Sequence, residues 1–202
     1  MVIDLDFTLW RRPRFRNGPP FTPIDGGLGG VCGASGERLT LYEGARDALR
    51  RIVDTHRIPI AFVSRTHRPA WAREWLAVLK VDEERTVLDL LLVHQPTGRT
   101  GGGERAAAAD DDDDDGAASA ATRLFASADA AILIRDGRKD GHVRELASRA
   151  GVPVEEILFF DDAPHDCAAV ERLGARAVHC PRRAGLTAAL LEEGLARFAC
   201  NE

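Results

Sequence analysis

The chain has 202 residues, with 27 Lys and Arg against 32 Asp and Glu for a net charge of −5, a length that suits one α/β domain or two small ones. Six of the negative charges form the run Asp110–Asp115. Outside it the chain is near neutral, which implies neither a general nucleic-acid-binding surface nor an acidic tail protein, and no apolar run approaches the ~18 residues of a membrane span.

Met1 to Leu5 reads as a strand. Ala45 to Thr55 has helical spacing through Ala45, Ala48, Leu49, Ile52 and Val53. Ile58 to Val63 reads as a buried strand with Pro59 near its start. Pro69 to Leu79 is helical, with Trp71, Trp75, Leu76 and Leu79 on one stripe. Asp82 to His94 fits either a helix extension or an extra strand. Ala130 to Ile134 is a strand, and Lys139 to Ala150 a helix ended by Gly151 and Pro153. Glu156 to Phe160 is a strand, Asp166 to Leu173 a helix, Ala175 to His179 a strand, and Leu186 to Phe198 the last helix. Alternation of this kind predicts a mainly parallel sheet with helices on both faces, and chemistry beyond the carboxyl ends of the strands.

Two stretches interrupt the alternation. Arg11 to Leu39, rich in Gly and Pro, opens at the carboxyl end of the first strand and is expected to hang over the site as a flap. Its Gly26-Gly27-Leu28-Gly29-Gly30 lacks the spacing of a dinucleotide fingerprint and is read as conferring flexibility. Gln95 to Thr122 holds a triple glycine, an alanine run and the aspartates, a composition unable to bury a core. It leaves from the amino-terminal edge of the sheet and is expected to be a disordered, solvated spacer, with an acidic partner- or metal-binding role as the alternative. The four cysteines, Cys32, Cys167, Cys180 and Cys200, have no CxxC spacing. They fit reduced thiols in a cytoplasmic protein, and no secretory leader is expected at the N-terminus.

The strand ends carry the polar residues. Strand one runs into Asp4-Leu5-Asp6, whose two carboxylates face the same way while the chain stays extended. At about 4 Å and an effective dielectric of about 20 they repel by about 4 kcal/mol. A bound cation or a shared proton relieves that cost. Strand two ends in Ser64-Arg65-Thr66, Lys139 opens the helix after strand three, and strand four ends in Asp161-Asp162. Taken singly, Ser64 suits a turn, Lys139 a surface helix, and Asp161 or Asp162 a helix cap. Taken together at one sheet edge, they suit phosphoryl transfer.

Ile3 to Trp10, Ser64-Arg65-Thr66, Gly137-Arg138-Lys139 with His142, and Phe159 to Asp162 resemble the haloacid dehalogenase superfamily. Within it they are most similar to the eukaryotic magnesium-dependent phosphatase 1 group, of acid phosphatase type. The resemblance covers most of the chain outside 95–122. It implies a single doubly wound three-layer α/β/α domain, capless apart from the short flap, and a phosphatase active on phosphotyrosine and some sugar phosphates, ketoamine phosphates among them. Position by position it implies Asp4 as nucleophile and Asp6 as general acid/base. It places Ser64, Arg65, Lys139 and the Leu5 backbone at the phosphate. Mg2+ is held by Asp4, the Asp6 carbonyl and Asp162, with Asp161 behind them. The expected partner is a phosphorylated small molecule or phosphoprotein, with no nucleic acid or membrane, and the chain is expected to be a monomer.

The residue chemistry supports these roles. Magnesium and Lys139 offset the repulsion between a carboxylate and a phosphate dianion, and Ser64 can donate to oxygens that gain charge. Asp6 can protonate a leaving alcohol, a step a dehalogenase does not need. Arg11-Arg12-Pro13-Arg14-Phe15-Arg16 fits either steering of an anionic substrate or a solvated flap. Asp166 fits either support of the metal shell or a helix start. Two other readings compete. A phospho-aspartate signalling module is disfavoured by the order of acid pair and lysine, and a silent partner-binding scaffold by the intact acids.

Overall fold

The computed structural model describes residues 1–11, 18–91 and 125–199. The low-complexity insert, most of the Arg11–Arg16 stretch, and Cys200 lie outside them. Five parallel strands form the central sheet: β1 (Val2–Asp4), β5 (Ala61–Ser64), β6 (Ile132–Ile134), β7 (Leu158–Asp161) and β8 (Arg176–His179). Their spatial order is β6-β5-β1-β7-β8, with β1 paired to β5 on one side and β7 on the other. The chain winds outward from β1 in one direction, returns, and winds outward in the other. The crevice where the winding reverses therefore opens at the carboxyl end of β1.

Strand alternation divides the core in two. Ile3, Phe62, Ile134, Phe160 and Val178 face α1 (Glu43–Arg50), α2 (Pro69–Val78) and α5 (Ala188–Ala199). Val2, Val63, Leu133, Phe159 and Ala177 face α3 (Lys139–Ala150) and α4 (Pro164–Glu171). The result is the expected doubly wound α/β/α arrangement. Helix α3 has the predicted bounds and ends where Gly151, at φ +68°, turns its N–H onto Ala147 and Ser148.

Three expectations need correction. The helix expected through Thr55 is α-helical only to Arg50; Arg51–Thr55 widens to a π turn, closed by His56 N–H on the Arg51 carbonyl at 3.0 Å. The strand expected from Ile58 joins the ladder only from Ala61, so Pro59 costs no ladder bond. The segment from Asp82, described through Leu91, is there neither a helix extension nor a strand. Asp82 accepts the N–H groups of Glu84 and Arg85, Asp89 accepts that of Thr86, and a short 3-10 turn (Asp89–Leu91) follows. Carboxylate capture of nearby N–H groups outcompetes regular structure there.

The flap also differs from expectation. Its described part contains a three-stranded antiparallel sheet, β2 (Thr22–Ile24), β3 (Gly30–Cys32) and β4 (Arg38–Leu39). Phe21 packs edge-on to Trp71 and Trp75 of α2, and Val31 and Leu39 join the core. The flap thus leans on α2, and none of its described residues lines the cleft described below. Gly27 and Gly30 answer to space rather than flexibility. A Cβ on Gly27 would lie 2.2 Å from the Val78 carbonyl, and one on Gly30, at φ +106°, 2.2 Å from that of Leu39. Gly26, at φ +64°, has nothing within 4 Å. Gly30→Ala is therefore expected to lower unfolding free energy by more than about 3 kcal/mol in urea titrations, against about 1 kcal/mol for Gly26→Ala. Equal losses would contradict the steric assignment.

Candidate active site

Strand β1 ends at Asp4, and the chain turns at once. Phe7 adopts φ +64°, and the Leu5 carbonyl accepts the Leu9 N–H at 2.9 Å. This turn carries both acids, and the motif residues after them hold each in place. Thr8 Oγ1 donates to Asp4 Oδ2 at 3.3 Å, and the indole N–H of the fully buried Trp10 donates to Asp6 Oδ1 at 2.9 Å. The Leu5 side chain is buried in the core, and Leu5 does not line the cleft.

Asp4, Asp6, Ser64, Arg65, Lys139, Asp161 and Asp162 line one cleft of about 260 Å³ at the carboxyl edge of the sheet. Lys139 is no surface residue. As the first residue of α3 it points inward, 2% exposed, and its ammonium ion-pairs with both Asp4 and Asp161. Burial works against its charge, but the two carboxylates outweigh that and raise its pKa above the ordinary lysine value. Asp4 is governed first by burial, which pushes its carboxyl up to about 7 against the pull of Lys139; Asp161 adds to the rise, and Asp6 adds least. The principal like-charge neighbour of Asp4 is therefore Asp161, not the sequence-adjacent Asp6.

Asp161 Oδ1 accepts the Ala163 N–H at 2.8 Å. Its buried Oδ2 lies 3.0 Å from the Lys139 ammonium, its one close partner among the described residues. Asp4, Asp161 and Asp162 each offer a carboxylate oxygen within 4.8 Å of the others. Such a buried, all-oxygen set of three carboxylates fits a hard divalent cation such as Mg2+. Ser64, 2% exposed, accepts the Thr66 N–H at 3.2 Å, so the hydroxyl serves its turn and keeps its own proton for a ligand. Arg65 is aimed by Asp166, which accepts from its guanidinium at 2.6 Å. Asp166 thus sits in the first turn of α4 and also holds a cleft residue. His142 is buried outside the cleft lining, with Nε2 3.4 Å from the Asp136 carbonyl.

The sequence reading missed Arg182, on the turn after β8. Its Nε donates to Asp162 Oδ2 at 2.5 Å, and its guanidinium lies 4.9 Å from the centre of the Phe7 ring. No motif marks it, because only the fold brings that turn beside β1 and β7.

A parallel β6-β5-β1-β7-β8 sheet with acids at the end of its central strand and a buried lysine from the helix after β6 defines a haloacid-dehalogenase-like α/β protein. The family model for Acid Phosphatase matches residues 1–201. The chain belongs to this family of acid phosphatases of the magnesium-dependent phosphatase type, and that membership supports phosphatase activity.

The raised Asp4 pKa has a measurable consequence. Between about 4 and 7 the folded metal-free chain holds a proton on Asp4 that the unfolded chain has released. Stability from this group is complete below about 4 and is lost as pH rises through 7, by at most about 1.4 kcal/mol per pH unit. Urea titrations in chelator should show Asp4→Asn gaining on wild type from pH 5 to 8. Parallel pH profiles would contradict the assignment.

Proposed function

We propose that the protein is a magnesium-dependent phosphomonoesterase working through an aspartyl-phosphate on Asp4, on phosphotyrosine or sugar phosphates, including ketoamine phosphates. The observation that carries this reading is the buried Lys139 between Asp4 and Asp161, with Asp162 in reach, at the crevice where the sheet winding reverses. Asp4, Asp162 and the Asp6 carbonyl would hold Mg2+, which supplies charge neutralisation when bound. Asp161, with one oxygen on the Ala163 N–H and the other beside the lysine, fixes Lys139.

Asp4 attacks phosphorus in line with the ester oxygen, the P–O ester bond breaks, and Asp6 gives its proton to the departing alcohol. Ser64 and Lys139 meet the phosphoryl oxygens. Water then attacks the aspartyl-phosphate, Asp6 takes its proton, and free phosphate leaves. Asp6, held by Trp10 on the same turn as Asp4, favours rapid hydrolysis over a lasting phosphoprotein. The reading takes the enzyme as a cytoplasmic monomer; no helix among the described residues is long and apolar enough to cross a membrane.

Hydrolysis of para-nitrophenyl phosphate should require Mg2+ and fall at least about a thousandfold in Asp4→Asn. Asp6→Asn should release about one equivalent of nitrophenolate quickly and then stall as phospho-enzyme, because this leaving group needs little protonation while the attacking water needs a base. Folded wild type with Mg2+ and no turnover would overturn the assignment.

A further inference from the structure

We propose that Arg182 selects the substrate: its guanidinium receives a second anionic group carried by the alcohol of the phosphomonoester. This deepens the phosphomonoesterase reading and rests on it. The preferred substrates are then phosphate esters whose leaving group bears a carboxylate or a further phosphate.

The backbone of Arg182 is fixed. Its carbonyl accepts the Tyr42 hydroxyl at 2.6 Å, and the same turn returns the Leu186 N–H to the Thr8 carbonyl at 2.8 Å. Gly185, at φ +65°, has no room for a side chain; a Cβ there would lie 2.3 Å from the Tyr42 ring and 2.5 Å from the Thr8 carbonyl. The turn is therefore pinned to the loop that carries Asp4 and Asp6. From this mount the side chain lines the cleft, 63% exposed.

Two contacts hold the guanidinium at the cleft, beside the turn that carries the proposed acid. It rests over Phe7, the neighbour of the proposed acid Asp6, and its Nε holds Asp162 Oδ2. Only Nε is engaged. Nη1 and Nη2 have no hydrogen-bond partner among the described residues, which leaves a donor edge for a carboxylate or phosphate. Arg65 also lines the cleft but is less exposed, 43% against 63%, and is held through Nη2 by the buried Asp166. The charge of Arg11 acts on the Tyr42 phenol, whose hydroxyl holds the Arg182 carbonyl.

The test compares phenyl phosphate with 3- and 4-carboxyphenyl phosphate, using the full chain with Mg2+. Wild type should favour at least one carboxylated ester by about tenfold in kcat/KM. Arg182→Gln should bring that ratio near one, Arg182→Lys should keep part of it, and Arg183→Gln, at an exposed neighbouring position, should keep all of it. Calorimetric affinities of the Asp4→Asn protein for the same esters, with and without Arg182→Gln, should show the same change in ratio. A wild-type ratio near one overturns the proposal. So does a ratio that survives Arg182→Gln, which would confine Arg182 to Asp162 or the transferred phosphate. Absence of turnover on every ester overturns the phosphatase reading instead, and the affinity ratios still decide the role of Arg182.

Discussion

One buried ion-pair cluster governs this molecule: the ammonium of Lys139 held between the carboxylates of Asp4 and Asp161. All three residues are at most 5% exposed. Burial alone would drive each towards its neutral form, and a charge left alone at this depth is strongly destabilising. Each charge is tolerable because the others are present. The lysine comes from the helix after β6, one acid from β1 and the other from β7, so the cluster forms only when both halves of the sheet have closed on β1. The chemistry and the strand order are the same constraint seen at two scales.

The turn after β1 shows how local sequence serves that constraint. A strand continuing past Asp4 would carry the next acid onward along the sheet. The positive φ at Phe7 and the carbonyl of Leu5 fold the chain back instead. Thr8 and Trp10 can then reach Asp4 and Asp6 respectively. Trp10 is fully buried and packs edge-on to Trp75 of α2. The orientation of Asp6 is thereby tied to the packing of the first core layer, against which the flap sheet also leans.

What the sequence disclosed follows from the range of the forces involved. The central strands and α3 were legible because period-two and period-3.6 burial, with a glycine stop, are local signals. Asp4, Ser64, Lys139, Asp161 and Asp162 were legible as a group because parallel topology delivers successive strand ends to one edge. The flap sheet was not: Gly27 and Gly30 read as flexible in sequence, while their need for space comes from carbonyls of Val78 and Leu39. The loop from Asp82 was lost to side-chain capture of backbone N–H groups, which hydrophobic periodicity does not register. Arg182 and the Arg65–Asp166 pair depend on partners 20 and 101 residues away, beyond any spacing rule.

The charges of the cleft also explain why its cations are arranged as they are. Asp4, Asp6, Asp161 and Asp162 line the cleft against Arg65, Lys139 and Arg182, and each of these bases already touches an acid. A phosphate dianion entering alone would meet a floor with more negative than positive charge, in a site where burial strengthens the repulsion. Adding another lysine would give one more charge that the surplus acids could neutralise. A divalent cation changes the balance by two charges at one point and can touch both a carboxylate and a phosphoryl oxygen. The surplus of acids, costly by itself, is what such an ion would require; the donor edge of Arg182 at the rim is then left for whatever else the substrate carries.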